Sequence, residues 1–595
     1  MFASIINAHK IAAKVDKIIG ISKIFRTFVP KMDKNMQDMH TTEKITIYEV
    51  LPRLFGNSTP NPVPNGTITE NGCGKLSAFS GSVLREIKKL GISHIWYTGV
   101  LEHATQTVYP NIRPDHPTVV KGKAGSPYAI KDYYDIDPDL ADDVPDRMTE
   151  FEALVKRTHK AELKVIIDFV PNHVAREYYS DAKPDSVIDL GALDNTHASF
   201  SAKNNFYYLP GQALQPPKYQ ARHGKNPYYE FPAKATGNDC FSPHPTPNDW
   251  FETVKLNYGV DYLNGGKAHF SPVPDTWKKM LDILLFWADK QVDGFRCDMA
   301  EMVPVEFWEY AIPKVKKQHP HLIFIAEIYN PDQYRNYLHR GKFDYLYDKV
   351  GLYDTLRAIV EGHQSASAIT ACWQSVSDIQ PQMLNFLENH DEQRIASDFF
   401  AGNPQRAIPA LAVALLMNTN PFMLYFGQEI GERGMDAEGF SGCDGRTSIF
   451  DYWAISSYRL PVTSYQLSVS NGQKALRERY AEWLNLSRSH AVFRAGGFFD
   501  LMYVNPHSDR FNPDRQFAFL RSDGKELVLV VANFDEHARE VSVFLPAHAF
   551  DYFGFTNNAL CDTFYTVNVG GWDATIATLV KPVDFQNKQK LTFKR

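Results

Sequence analysis

Asp298, Glu327 and Asp391, with His173 and His390, fall at or near the ends of strand-like apolar runs, in Asp168-Phe-Val-Pro-Asn-His173, Gly294-Phe-Arg-Cys-Asp298, Ile325-Ala-Glu327 and Glu388-Asn-His-Asp391. Asp298 and Glu327 are 29 residues apart. That is about one strand-helix-strand step, so both can end neighbouring parallel strands at one rim. A facing pair of carboxyl groups suits glycoside chemistry, one acting as nucleophile and the other as proton donor. Arg296 and Asp298 are two apart on a strand and share a face, so the guanidinium is expected to hold Asp298 ionised and aimed. Glu327 has the complementary task. With Asp298 and Asp391 nearby and a sugar excluding water, its proton affinity is expected to rise until it can protonate a departing oxygen. His390 and Asp391 can grip sugar hydroxyls as the ring flattens, and His173 can bind from the third strand.

These residues need a scaffold that brings strand ends together. Strand-like runs alternate with helical patterns at 45–55, 93–98, 164–170, 292–298, 322–327, 343–348, 383–389 and 422–427, and eight such strands close a barrel. A helix over 276–290 places Trp277, Met280, Leu281, Leu284 and Leu285 on one face, and one over 473–489 does the same with Leu476, Tyr480, Trp483 and Leu484. The fold class read from this is α/β: a (β/α)8 TIM barrel over 43–174 and 275–492. A subdomain rich in Pro, Gly, Asn and Tyr is inserted after the third strand, over 175–274. After Gly496-Gly497 the pattern turns to strands alone, at 498–504, 516–521, 527–534 and 541–545, with Asp523-Gly524 as a hairpin turn. Residues 493–595 are therefore expected to form a C-terminal β-sandwich.

The composition is that of a soluble protein with a full core: 595 residues, 44% hydrophobic, 22% charged, net charge -6. With a mildly acidic balance and no long basic tract, neither nucleic acid nor an anionic membrane surface is the expected partner. Aromatic residues, at 13%, exceed what a core strictly needs and could stack on sugar rings. The six cysteines have no CxxC spacing, so no zinc site or disulfide framework is signalled, and Cys297 is read as packing on the strand face opposite Asp298. No run of 18 apolar residues exists to span a bilayer. Residues 1–42 intersperse Lys10, Lys14, Lys17, Lys23, Arg26 and Lys31 among isoleucines and valines. They read as a poorly ordered extension or as sequence upstream of a start at Met32 or Met36, in preference to a membrane-surface or targeting helix, because 33–44 that follows is polar and patternless. Without an uninterrupted apolar signal core, a cytoplasmic protein is expected.

The four segments closely resemble the signature regions of the α-amylase family, glycoside hydrolase family 13. The likeness continues in Trp96-Tyr-Thr-Gly99, Tyr128-Ala-Ile-Lys-Asp-Tyr133 and Phe426-Gly-Gln-Glu429. The resemblance implies Asp298 as nucleophile, Glu327 as general acid/base and Asp391 as transition-state stabiliser. It implies substrate binding or nucleophile positioning by Asp168, His173, Arg296 and His390, with Tyr128 as the platform under the sugar. The implied activity is retaining hydrolysis of α-1,4-glucosidic bonds in starch, glycogen or malto-oligosaccharides by a monomer. A transglycosylase on the same scaffold and a non-catalytic family scaffold are the alternatives. Many family members bind calcium through the Asn matching Asn172 and an Asp in the inserted subdomain. In Val254-Lys-Leu-Asn257 that Asp is replaced by Lys255, the wrong charge for a calcium shell, so no cofactor is expected to be required.

Overall fold

The computed structural model describes residues 44–217, 227–435, 444–455, 470–556 and 558–581. The N-terminal extension read at 1–42 lies outside them. Eight parallel strands form a closed barrel: β1 (Thr46–Val50), β2 (His94–Tyr97), β3 (Lys164–Phe169), β4 (Gly294–Cys297), β5 (Ile323–Ala326), β6 (Tyr345–Tyr347), β7 (Met383–Phe386) and β8 (Phe422–Tyr425). Each lies within a run expected from the sequence, and all eight are shorter than that run. The first ends at Val50 rather than at 55 because Leu54 and Phe55 donate back to Leu51 O, a turn that takes the chain out of the sheet.

Alternation along the strands sorts the side chains. Ile47, Trp96, Ile166, Ile325, Leu384 and Met423 fill the barrel interior, while Tyr48, Val165, Ile167, Phe295 and Phe324 face outward into the main core. The helix before β4, Asp275–Asp289, buries Trp277, Met280, Leu281 and Leu284, and Trp287 donates to Tyr133 O at 2.7 Å. The last barrel helix, Asn471–Ser489, starts at a capping box in which Ser470 accepts from Gln473 N and donates its own N–H to the Gln473 side chain. Leu476, Tyr480, Trp483 and Leu484 are its buried face, as the 3.6-residue period requires.

The long connection after β3 consists of short pieces rather than one sheet. His173–Ala175 pairs antiparallel with Thr253–Lys255, and Tyr208–Leu209 with Ala233–Lys234. After β2 a small sheet of Leu101–His103 and Ile130–Ile136, which the sequence reading passed over, carries the chain past Tyr128. The C-terminal region holds a four-stranded antiparallel sheet and a two-stranded one. In chain order its strands are β9 (Gly497–Asp500), β10 (Gln516–Ser522), β11 (Leu527–Asn533), β12 (Arg539–Leu545), β13 (Thr563–Val569) and β14 (Asp573–Val580). The expected strand at 498–504 stops at Asp500, whose Oδ1 accepts from Met502 N at 2.7 Å and turns the chain. β13 and β14 were missed, because Thr, Asn and Asp are mixed with apolar residues on their half-exposed faces and dilute the period-2 signal. Asp523-Gly524 does make the hairpin turn, with Gly524 at φ +81°. Among the described residues no helix is long and apolar enough to cross a membrane.

Candidate active site

The carboxyl ends of β3, β4, β5 and β7 deliver the expected side chains to one rim. Ladder hydrogen bonds run one step past the strands, Asp298 N to Phe169 O at 2.9 Å and Glu327 N to Cys297 O at 3.2 Å. The two acids are therefore held in register as if they still belonged to the sheet. Directly after Asp298 the backbone of Met299 turns into the left-handed region, φ 42°. For a side chain of this size that conformation costs on the order of 1–3 kcal/mol. The turn aims Met299 N at Glu327 Oε2, 2.8 Å away.

Arg296 is the hub. Its Nη1 donates to Asp298 Oδ1 at 2.8 Å and lies 3.5 Å from Asp168 Oδ1. Its Nη2 is 2.8 Å from Glu327 Oε2, a charge contact in which the N–H does not point at the oxygen. The rings of Trp96, Tyr128 and Tyr347 surround the guanidinium at 5.2, 5.2 and 5.6 Å. Burial works against its charge, but Glu327 and the neighbouring anions outweigh that and raise its pKa further. Asp168 is engaged at both oxygens: Oδ2 accepts from Gly99 N at 3.0 Å and Trp96 Nε1 at 3.1 Å, while Oδ1 faces Arg296. It is buried, with its contacts made to Arg296, Gly99 and Trp96.

Asp298 keeps one oxygen, Oδ2, buried and without a hydrogen-bond partner, while Oδ1 is held by Arg296. The expectation that Arg296 would simply keep this carboxyl ionised needs correction. Burial pushes its pKa up to about 8, with Glu327, Asp168 and Asp391 adding to the rise and Arg296 opposing it. Two cations, Arg296 and His390, face a crowd of five carboxyl groups: Glu49, Asp168, Asp298, Glu327 and Asp391. A proton is consequently held by the group as a whole. Glu327 Oε1 accepts from Tyr329 OH at 2.6 Å, a partner that sequence reasoning missed, since a tyrosine two residues past an acid carries no signal of its own.

His390 sits between two acids. Its Nδ1 is 2.6 Å from Glu49 Oε1, and its Nε2 is 2.7 Å from Tyr128 OH and 3.2 Å from Asp391 Oδ2. The Tyr128 and His390 rings stack with centroids 5.2 Å apart. Asp391 faces the cleft, its side chain 41% exposed. What desolvation it feels raises its pKa, but His390 overrides this and holds it down at about 2. His173 is buried beside Trp250, ring centroids 5.2 Å apart, and burial drops its pKa to about 3, so it offers neutral ring nitrogens.

Asn172, the metal ligand weighed from the sequence, has its side-chain oxygen taken. Lys255 Nζ donates to Asn172 Oδ1 at 2.6 Å and pairs with Asp239 Oδ1 at 2.6 Å. The ammonium occupies the oxygen that a cation would need, so these residues do not fit calcium.

The sequence profile described as "Alpha amylase, catalytic domain" matches residues 49–451. Alpha-amylase MalA of Haloarcula japonica is 28% identical over 399 residues, covering 66% of this chain and 45% of its own length. A cyclomaltodextrinase of Geobacillus thermopakistaniensis is 22% identical over 83% of this chain and 69% of its own. This chain thus spans less than half of the Haloarcula protein and about two thirds of the Geobacillus one. Among solved structures, the cyclic α-maltosyl-(1→6)-maltose hydrolase of Arthrobacter globiformis shares the fold with a TM-score of 0.59 at 19% identity, over 90% of this chain and 98% of that one. With the profile covering most of the barrel and the signature residues meeting at one rim, the chain belongs to the α-amylase family.

Proposed function

We propose that the protein is a retaining glycoside hydrolase that cleaves α-1,4-glucosidic bonds of starch, glycogen or malto-oligosaccharides through a covalent glycosyl-enzyme. The observation that carries this reading is the single guanidinium of Arg296 contacting both Asp298 and Glu327 while Asp298 Oδ2 stays unpartnered. In the first step Asp298 Oδ2 bonds to the anomeric carbon, the glycosidic C–O bond breaks, and the leaving oxygen takes the proton of Glu327. In the second, Glu327 takes a proton from water, the water oxygen bonds to the anomeric carbon, and Asp298 leaves as carboxylate. Asp391, ionised beside His390 and open to the cleft, is placed to hold sugar hydroxyls as positive charge grows on the ring. The α-1,4-glucan substrate is supported by the names of the amylase and cyclodextrinase relatives. Incubation with maltoheptaose followed by chromatography tests it. Products shorter than the starting sugar are expected from the outset, whereas early products longer than maltoheptaose would assign a transferase instead.

The reading needs no metal at Asn172. Chelation with EDTA is expected to leave activity and change the melting temperature by less than ~1 °C, since a site holding an ammonium gains nothing from calcium by mass action. A fall of several degrees on chelation, reversed by added calcium, would contradict the role given to Lys255.

A further inference from the structure

Glu49 has no part in the scheme above, yet it is the acid most deeply placed in the barrel. It lies on β1 with no exposed surface and is paired in register with Trp96 of β2 and Tyr425 of β8. Its strand neighbour two residues back, Ile47, is part of the apolar barrel interior. A carboxylate on that face loses its water and costs several kcal/mol unless a partner charge answers it. One oxygen finds such a partner, His390 Nδ1 at 2.6 Å, while Oε2 is buried with none. The other ring nitrogen of His390 faces the reaction side, at Tyr128 OH and Asp391 Oδ2.

We propose that Glu49 is a positioning residue of the active site: from inside the barrel its carboxylate keeps His390 charged, so that Nε2–H is always available to fix Asp391 and Tyr128 at the sugar. A neutral imidazole can donate from only one nitrogen. With Glu49 taking Nδ1–H, a neutral ring could only accept from Tyr128 OH at Nε2, and the contact with the Asp391 carboxylate is served only by imidazolium. Burial opposes that charge, and Asp391 with Glu49 outweighs it, raising the His390 pKa well above its ordinary value. Glu49 itself is raised by burial, with His390 and Arg296 pulling it down and Asp168 pushing it up. Tyr347 of β6 and Tyr425 of β8 also face it and stay neutral, their own pKa values raised by burial. A glutamine in place of Glu49 would keep the hydrogen bond and lose the charge.

The inference rests on the glycosidase reading, so the test has a readout that does not need turnover. In Glu49→Gln the titration of the His390 ring, followed by NMR of labelled histidine, is expected to fall by about 1–3 pH units relative to the wild type. Maltoheptaose turnover should then show its basic limb shifted to lower pH, with kcat about 10–100-fold below wild type at pH 8 and a much smaller loss at pH 5. Glu49→Asp, which keeps the charge at a longer distance, should restore part of the shift. A purely structural role predicts instead a loss independent of pH. An unchanged His390 titration in Glu49→Gln overturns the proposal, as does a wild-type pH profile in Glu49→Asp should the glutamine variant fail to fold. Wild-type protein that leaves maltoheptaose intact while the His390 shift still appears would overturn the glycosidase reading alone.

Discussion

Asp298→Asn is expected to lower turnover of every α-glucoside by about 10⁴-fold or more, however good the leaving group, because it removes the carboxylate whose Oδ2 stays unpartnered beside Arg296 and is assigned to bond the anomeric carbon. The same change should make the protein more stable at neutral and alkaline pH. Asp298 is raised from its ordinary value to about 8 in the folded state, so the native protein holds a proton that the unfolded chain releases. That contribution is complete below about pH 4 and is lost as pH rises through 8. Above it, an ionised Asp298 sits among Asp168, Glu327 and Asp391 with only one guanidinium to answer it. Asparagine does not titrate, so the stability gain should grow between pH 4 and pH 8 to about 1–3 kcal/mol. Thermal unfolding of both proteins across that range measures it. A variant less stable than wild type at pH 8 would mean that the Arg296 contact outweighs burial.

Glu327→Gln should give a different phenotype. Without its proton donor the enzyme is expected to lose about 10²–10⁴-fold on malto-oligosaccharides. An α-glucosyl fluoride needs no such proton, so Asp298 should still displace fluoride and the glycosyl-enzyme should accumulate as a mass increase of one glucosyl residue. Azide attacks without a general base and should release that residue as the α-glycosyl azide, restoring turnover. Rescue of Asp298→Asn by azide, with none for Glu327→Gln, would reverse the two roles.

The eight strands and the acids that end them were legible because buried parallel strands leave apolar runs and the acids interrupt them at fixed places. Lys255 was legible as a charge where an oxygen ligand was expected, and its contact with Asn172 Oδ1 gives that mismatch a geometry. Glu49 was not. In Ile-Tyr-Glu-Val a lone acid on alternation reads as the solvent face of a half-buried strand, and only closure of the barrel turns that face inward. The proton affinity of Asp298 was misjudged for a related reason. Arg296 two residues away is visible in the sequence, whereas the burial of the Asp298 carboxyl is a property of the closed site. Tyr329 and the left-handed turn at Met299, which between them hold Glu327, leave no mark that a residue pattern could reveal.

The central claim is that Asp298 and Glu327 act in two successive displacements from one Arg296-held site. Their carboxyl groups should then lie about 5–5.5 Å apart, too close for an attacking water to fit between them. Proton NMR of maltoheptaose cleavage, recorded before mutarotation equilibrates the products, tests this most directly. The account predicts that the α-anomer appears first at the new reducing end. The β-anomer appearing first would mean a single inverting displacement and would contradict the nucleophilic role of Asp298.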